Sequence, residues 1–178
     1  KSLRGTKLDL FGRSEERRME RALAERYDVD REQAARVETT ALALFDQAAA
    51  AWQLNGDDRR LLGWAARIHE IGLAIAHSQY HQHGAYLIEH SDIAGFSRTE
   101  QQFIAALLRN QRRGLHLPSI EALGDRLAGA ALHCALLLRL SVLLHRSHDR
   151  QKIPLHSLRA GERSLRFFSI SSLKFWRR

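Results

Sequence analysis

The sequence predicts an all-α protein, a single helical bundle with a short strand near its C-terminus. Apolar residues recur at spacings of three and four along most of the chain, two capping-box patterns open helices, and only 2 prolines interrupt 178 residues. The composition, 44% hydrophobic, 27% charged and 7% aromatic, excludes a disordered tail, a collagen-like rod and a disulfide-stapled miniprotein. A chain of this length hides roughly 70% of the surface its unfolded form exposes, enough for one sizeable core. Cys134 is the single cysteine, so no internal disulfide forms and the cytoplasm is the expected compartment.

Ser14-Glu15-Glu16 opens the first helix, to about Tyr27, with acids where the helix dipole favours them. Asp30-Arg31-Glu32-Gln33 reads as a capping box, Asp30 accepting from an orphan N–H and Gln33 reaching back. Val37, Ala41, Leu44, Phe45 and Ala48 then form one stripe, which Asn55-Gly56 stops. Asp57-Asp58 caps the next helix, apolar almost all round, as a central helix should be. Gly72 ends it, His77 to His83 reads as a loop, and Gly84 to His90 as a short helix. Ser97-Arg98-Thr99-Glu100 is the second capping box, opening a helix that dissolves into Arg112-Arg113-Gly114. Pro118 precedes a long helix from Ala122 to about His145. Its apolar run includes His133 and Arg139, both costly at the centre of a bilayer, so it is read as a core helix with no membrane span. Arg163 to Ile170 carries the strand pattern. The expected core comprises Trp64, Ile68, Ile71, Leu107, Leu136, Leu140 and Leu144.

The net charge of +8 is local. Residues 1–60 hold 12 basic and 12 acidic side chains, residues 61–138 hold 6 of each, and residues 139–178 hold 10 and 2. Such a surface concentrates polyanions: nucleic acid, anionic lipid or polyphosphate. It leaves open a peripheral membrane contact and a nucleic-acid- or protein-binding role. Aromatics interleave with basic residues mainly in Arg166-Phe167-Phe168 and Lys174-Phe175-Trp176-Arg177.

Five of the ten histidines, His69, His77, His81, His83 and His90, lie within twenty-two residues that also contain Glu70. The cluster fits a metal site, an acid/base site or an anion-binding lining, and spacing does not choose between them, because no HExxH or CxxC pattern occurs.

Trp64-Ala65-Ala66-Arg67-Ile68-His69-Glu70-Ile71-Gly72, His77-Ser78, His83-Gly84-Ala85-Tyr86-Leu87, Gly95-Phe96-Ser97, Leu144-His145-Arg146-Ser147 and Gly161-Glu162-Arg163-Ser164-Leu165 resemble the helical C-terminal region of the exopolyphosphatase and guanosine pentaphosphate phosphohydrolase family. Leu10-Phe11-Gly12-Arg13 resembles the segment that follows that family's catalytic module, so the likeness covers roughly residues 8 to 166. It implies an HD-like domain at 14–160, preceded at 1–13 by a lead-in from an absent actin-like catalytic module and followed at 161–178 by a basic tail or short strand. In the family that module carries the glycine-rich phosphate loops and acidic ligands for Mg or Mn. No such loop occurs here, so this chain, which begins without methionine, is expected to be an inactive piece of a longer hydrolase, with no catalytic residues and no cofactor of its own.

The resemblance further implies binding and positioning of inorganic polyphosphate, and a homodimer in the parent. The lining expected for the polyanion is Arg67, His69, His77, His81, His83, Arg109, Arg112, Arg113 and Arg146. The region is also distantly similar to HD-domain phosphohydrolases, whose metal is held by a His, a His-Asp pair and a final Asp. Gln33 stands at the first of these positions, His69-Glu70 at the pair and Ser141-Val142 near the last. An autonomous metal-dependent phosphohydrolase using His69 and Glu70 is therefore the competing expectation.

Overall fold

The structure is a computed structural model that describes residues 4–148, 156–161 and 164–169, with side chains described at 14–148, 157–161, 164 and 166. Among the described residues seven α-helices run in order: α1 (Arg4–Arg26), α2 (Arg31–Trp52), α3 (Gly56–Arg67), α4 (Tyr80–His90), α5 (Arg98–Asn110), α6 (Leu117–Glu121) and α7 (Asp125–Leu144). A single 3-10 turn, Ile71–Ala74, joins α3 to α4, and β1 (His156–Gly161) pairs antiparallel with β2 (Ser164–Ser169). The all-α class holds, with the expected strand forming half of a hairpin whose first strand the sequence pattern did not reveal.

The caps explain most boundaries and correct some. Asp30 accepts from the Gln33 N–H at 2.9 Å, but the Gln33 side chain does not reach back. It is buried instead and donates Nε2 to the His145 carbonyl at 2.7 Å, which ties α2 to the end of α7. The chain leaves α2 through Gln53 in the left-handed region. Asn55 does not stop that helix; it caps α3, closing a capping box with Asp58. Ser97 and Glu100 form the expected box on α5. Pro118 sits in the first turn of α6, where its missing N–H is no loss. Glu15 and Glu16 are interior to α1, which begins ten residues earlier than their charge suggests.

The core gathers Leu44 and Phe45 of α2, Leu62 and Trp64 of α3, and Phe103 and Leu107 of α5 with Ile68 and Ile71, all buried. Arg60 and Arg67 fasten α1 to this core: Arg60 pairs with Glu16 at 2.6 Å and with Glu100, and Arg67 with Glu20 and Glu38 at 2.6 Å each. Trp64, Ile68, Ile71 and Leu107 are buried as expected, but Leu136, Leu140 and Leu144 are only half-buried. On α7 the inner face carries Ala131, Cys134, Ala135, Leu137, Leu138 and Ser141. A helix apolar on every side has no periodicity to mark its core face, and here small residues allow α2 and α3 to approach. Leu143 is left 61% exposed. By length and composition α7 could cross a membrane, although it packs against α2, α3 and α5.

Candidate functional site

A cavity of about 720 Å³ opens where the start of α2, the α3–α4 connection, the loop after α5 and the C-terminal half of α7 meet. Gly72 makes the connection tight, since a Cβ there would lie 1.9 Å from the Tyr80 carbonyl oxygen and 2.6 Å from the Gly84 nitrogen. This close approach brings His69, Glu70, His77 and Tyr80 to the cavity wall.

His69 is 1% exposed, and its Nδ1 lies 2.7 Å from the Ala66 carbonyl. A carbonyl only accepts, so Nδ1 carries the proton. Burial pushes the His69 pKa down to about 4. The ring is therefore neutral, and Nε2 presents a lone pair that no protein donor meets. Glu70 Oε1 is 3.8 Å from that nitrogen and 3.1 Å from His148 Nε2, and His148 Nδ1 lies 3.7 Å from Asp30. Burial raises the Glu70 pKa while the His148 charge opposes the rise. Gln111 donates Nε2 to the His69 carbonyl at 2.7 Å, leaving its own Oε1 buried without a partner. Tyr80 has the Arg112 guanidinium 5.3 Å from its ring centre.

Four arginines line the outer part: Arg112 and Arg113 from the loop, Arg139 and Arg146 from α7 and its end. Arg139 donates to the carbonyls of Asn110 and Arg113, so it supports the loop as well as charging the wall. Arg113 has φ 60°, a left-handed conformation costly for a side chain with a Cβ.

Of the nine residues expected to meet a polyanion, His69, His77, Arg112, Arg113 and Arg146 line this cavity. Arg67 is occupied on the α1 side by Glu20 and Glu38. Arg109 forks onto both oxygens of Glu89 at 2.8 Å and onto Gln82. His81 and His83 lie in α4, which starts four residues before the expected helix, and neither reaches the lining. His81 is buried, with desolvation and the nearby Arg112, Arg113 and Arg109 charges lowering its pKa. His77 precedes α4 and is separated from it by Gln79 at φ 54°, so His77 and His81 do not share a helical face. Arg139, Tyr80, Gln111 and His148 were missed. Arg139 was visible in sequence only as an unexplained charge in an apolar helix; the other three carried no local signal.

Gln33, His69, Glu70 and Val142, the residues at or near the four HD ligand positions, all line the same cavity. They do not make a four-ligand metal centre. Val142 has no donor atom, and the Gln33 amide is engaged at both ends, by the His145 carbonyl and by Arg36. Among the described residues no three His, Cys, Asp or Glu side chains gather into a metal-holding group.

Residues 16–174 match the family described as Ppx/GppA phosphatase, domain III. The chain belongs to the Ppx/GppA phosphatase family. A relative in Aeromonas hydrophila, "Guanosine-5'-triphosphate,3'-diphosphate pyrophosphatase", is 36% identical over 145 residues, 81% of this chain. Similarly named proteins of Aeromonas salmonicida and Photobacterium profundum are 36% and 37% identical over 78% and 81% of it. The matched parts make up 28% to 29% of the lengths of these relatives. The Ppx/GppA assignment agrees with the motif resemblance, and it puts the arginine-lined cavity inside domain III.

Proposed function

We propose that this domain binds a linear phosphoanhydride polyanion, inorganic polyphosphate or the phosphate arms of guanosine pentaphosphate, and holds it for hydrolysis by a catalytic module elsewhere in the longer protein. The observation that carries the reading is the convergence of Arg112, Arg113, Arg139 and Arg146 on one cavity, with Glu70 the only carboxylate among the described residues of its wall. Guanidinium groups suit this ligand because they give charge-assisted, often forked hydrogen bonds to phosphate oxygens. The chemistry, with its Mg or Mn, belongs to the actin-like module that the family resemblance implies. The proposed parent is a cytoplasmic homodimer, a reading supported by Leu143, which α7 leaves 61% exposed.

Titration of the chain with inorganic polyphosphate at two salt concentrations tests the binding. Affinity should fall steeply as salt rises, because each arginine–phosphate contact releases condensed counterions. Arg112→Ala with Arg113→Ala should weaken binding about tenfold or more. Unchanged affinity in that double variant, with the loss appearing instead on deletion of residues 170–178, would move the site to the basic tail.

A further inference from the structure

We infer that Arg139 is a positioning residue for the phosphate site: its guanidinium grips the turn after α5 and holds Arg112 and Arg113 where both meet a ligand. The inference rests on the phosphate-binding reading above and adds to it what organises that site. Arg139 is half-buried, and it is the only Lys, Arg, Asp or Glu in α7 beyond Arg126. Its donors are directed at backbone. Nη1 donates to the Asn110 carbonyl at 3.4 Å and Nη2 to the Arg113 carbonyl, so one planar group spans both ends of the turn. The start of that turn is anchored independently. Asn110 is fully buried, donates Nδ2 to the Ala106 carbonyl at 2.9 Å and accepts from the His116 N–H at 2.6 Å. Gln111, 1% exposed, donates to the His69 carbonyl at 2.7 Å. Past Gln111 the chain turns outward, with Arg112 half-buried and Arg113 and Gly114 exposed, and there the bond from Arg139 takes over the hold.

The backbone shows what is being held. Arg113 has φ 60°, whereas Gly114, which could take a positive φ without steric cost, does not. A turn shaped for stability alone would put the glycine at the left-handed position. The arginine occupies it instead, a conformation that persists only where surrounding contacts maintain it. Consecutive side chains of an extended chain point to opposite sides, yet Arg112 and Arg113 line one cavity. Arg112 is steadied further by the Tyr80 ring, whose centre lies 5.3 Å from its guanidinium. Two long cations on a fixed turn lose less freedom on binding than two on a loose one, so the grip of Arg139 is converted into affinity. Lysine at this place would keep the charge but not the planar fork, and that difference separates positioning from electrostatics.

The test is a double-mutant cycle on the chain, titrated with inorganic tripolyphosphate. Arg139→Lys should weaken binding about fivefold although the net charge is unchanged. In the Arg112→Ala/Arg113→Ala background the same substitution should cost less than about twofold, because residues that act as one unit are not additive. An equal loss in both backgrounds would make Arg139 an independent phosphate contact, and wild-type affinity in Arg139→Lys would leave it no role. Either result overturns the positioning inference while the phosphate reading stands. Unchanged affinity in the Arg112→Ala/Arg113→Ala pair would overturn that reading and the inference with it. A second arm needs neither phosphate nor a folded Arg139→Lys protein. Arg113→Gly and Arg113→Ala both remove the guanidinium, but only alanine bears the cost of a left-handed Cβ, so the glycine variant should melt about 2–4 °C higher. Equal Tm in those two variants would overturn the claim that the turn is held left-handed.

Discussion

Replacing Gly72 with alanine probes the contact on which the whole cavity depends. The added Cβ would fall 1.9 Å from the Tyr80 carbonyl oxygen, where real Cβ atoms essentially never come closer than 3.0 Å, so α4 must retreat by about 1.1 Å. No side-chain rotation can relieve the clash, because the neighbours at Tyr80 and Gly84 are backbone. Overpacking of a well-filled site costs about 1–3 kcal/mol, and a clash with rigid backbone belongs at the upper end. For a domain of this size about 1 kcal/mol moves Tm by roughly 2–4 °C, so Gly72→Ala should lower Tm by about 6–12 °C. Thermal unfolding followed by circular dichroism reads this directly, and Gly129→Ala supplies the opposite sign. Gly129 is exposed inside α7 with nothing within 4 Å of its would-be Cβ. Alanine there should add about 1 kcal/mol from helix propensity alone. Because retreat of α4 also carries Tyr80 away from His69 and Glu70, Gly72→Ala should weaken polyphosphate binding under conditions where the protein remains folded. A Gly72→Ala protein with wild-type Tm would refute the packing argument.

Stability should also depend on pH through His69. Its pKa is pushed down to about 4 from 6.5 by burial, so the unfolded chain takes up a proton that the folded one refuses. The penalty is absent above pH 6.5 and grows as the pH falls towards 4, to about 3 kcal/mol at most. His69→Asn, which keeps a donor for the Ala66 carbonyl, should flatten part of that slope in denaturant unfolding at pH 7 and pH 5. Arg67→Ala should destabilise by about 2 kcal/mol, a value discounted from fully buried pairs because a third of the side chain remains in water. It should nevertheless leave polyphosphate affinity within about twofold, as should Arg109→Ala, because both arginines are committed to carboxylates away from the cavity. Cys134 is fully buried with its thiol pKa raised by desolvation, so a disulfide reagent should label it only at the rate of unfolding.

The fold was legible wherever local chemistry decides structure. Ser97 and Glu100 mark a helix start by a motif that closes on itself, and the α2 stripe from Val37 to Ala48 points one way because most residues between its members, Glu38, Thr39, Thr40, Asp46 and Gln47, are polar. Legibility fails where the deciding partner is distant. Gln33 looks like the second half of a capping box until the His145 carbonyl, 112 residues away, claims its amide. The uniformly apolar α7 hides its own orientation, so Leu136, Leu140 and Leu144 could not be separated from the true inner face. The site followed the same rule. Arg112, Arg113 and Arg146 advertise themselves by charge, whereas the commitment of Arg67 to Glu20 and Glu38 depends on where α1 lies.

The convergence of Gln33, His69, Glu70 and Val142 on one cavity has a further physical consequence. An HD-type metal centre needs ligands that are negative or lone-pair-bearing and a divalent ion to balance them. Here Val142 is aliphatic and the Gln33 amide is satisfied within the protein, while His69 Nε2 and Glu70 have acceptor character. Positive charge in the wall comes instead from Arg112, Arg113, Arg139 and Arg146. A metal ion binds a phosphate by direct coordination at a fixed point, whereas several guanidinium groups bind it through many exchangeable hydrogen bonds and let it shift register. Holding a polyanion while a second module removes its terminal unit requires the latter behaviour. On this argument, placing His at Gln33 and Asp at Val142 would supply an HD-type metal-ligand set but raise the negative charge of the wall. The double variant should therefore bind Mn more tightly than the parent chain in calorimetric titration, and bind polyphosphate less tightly in the absence of metal. Equal polyphosphate affinity in the two proteins would refute the claim that the arginine-dominated balance of charge governs retention.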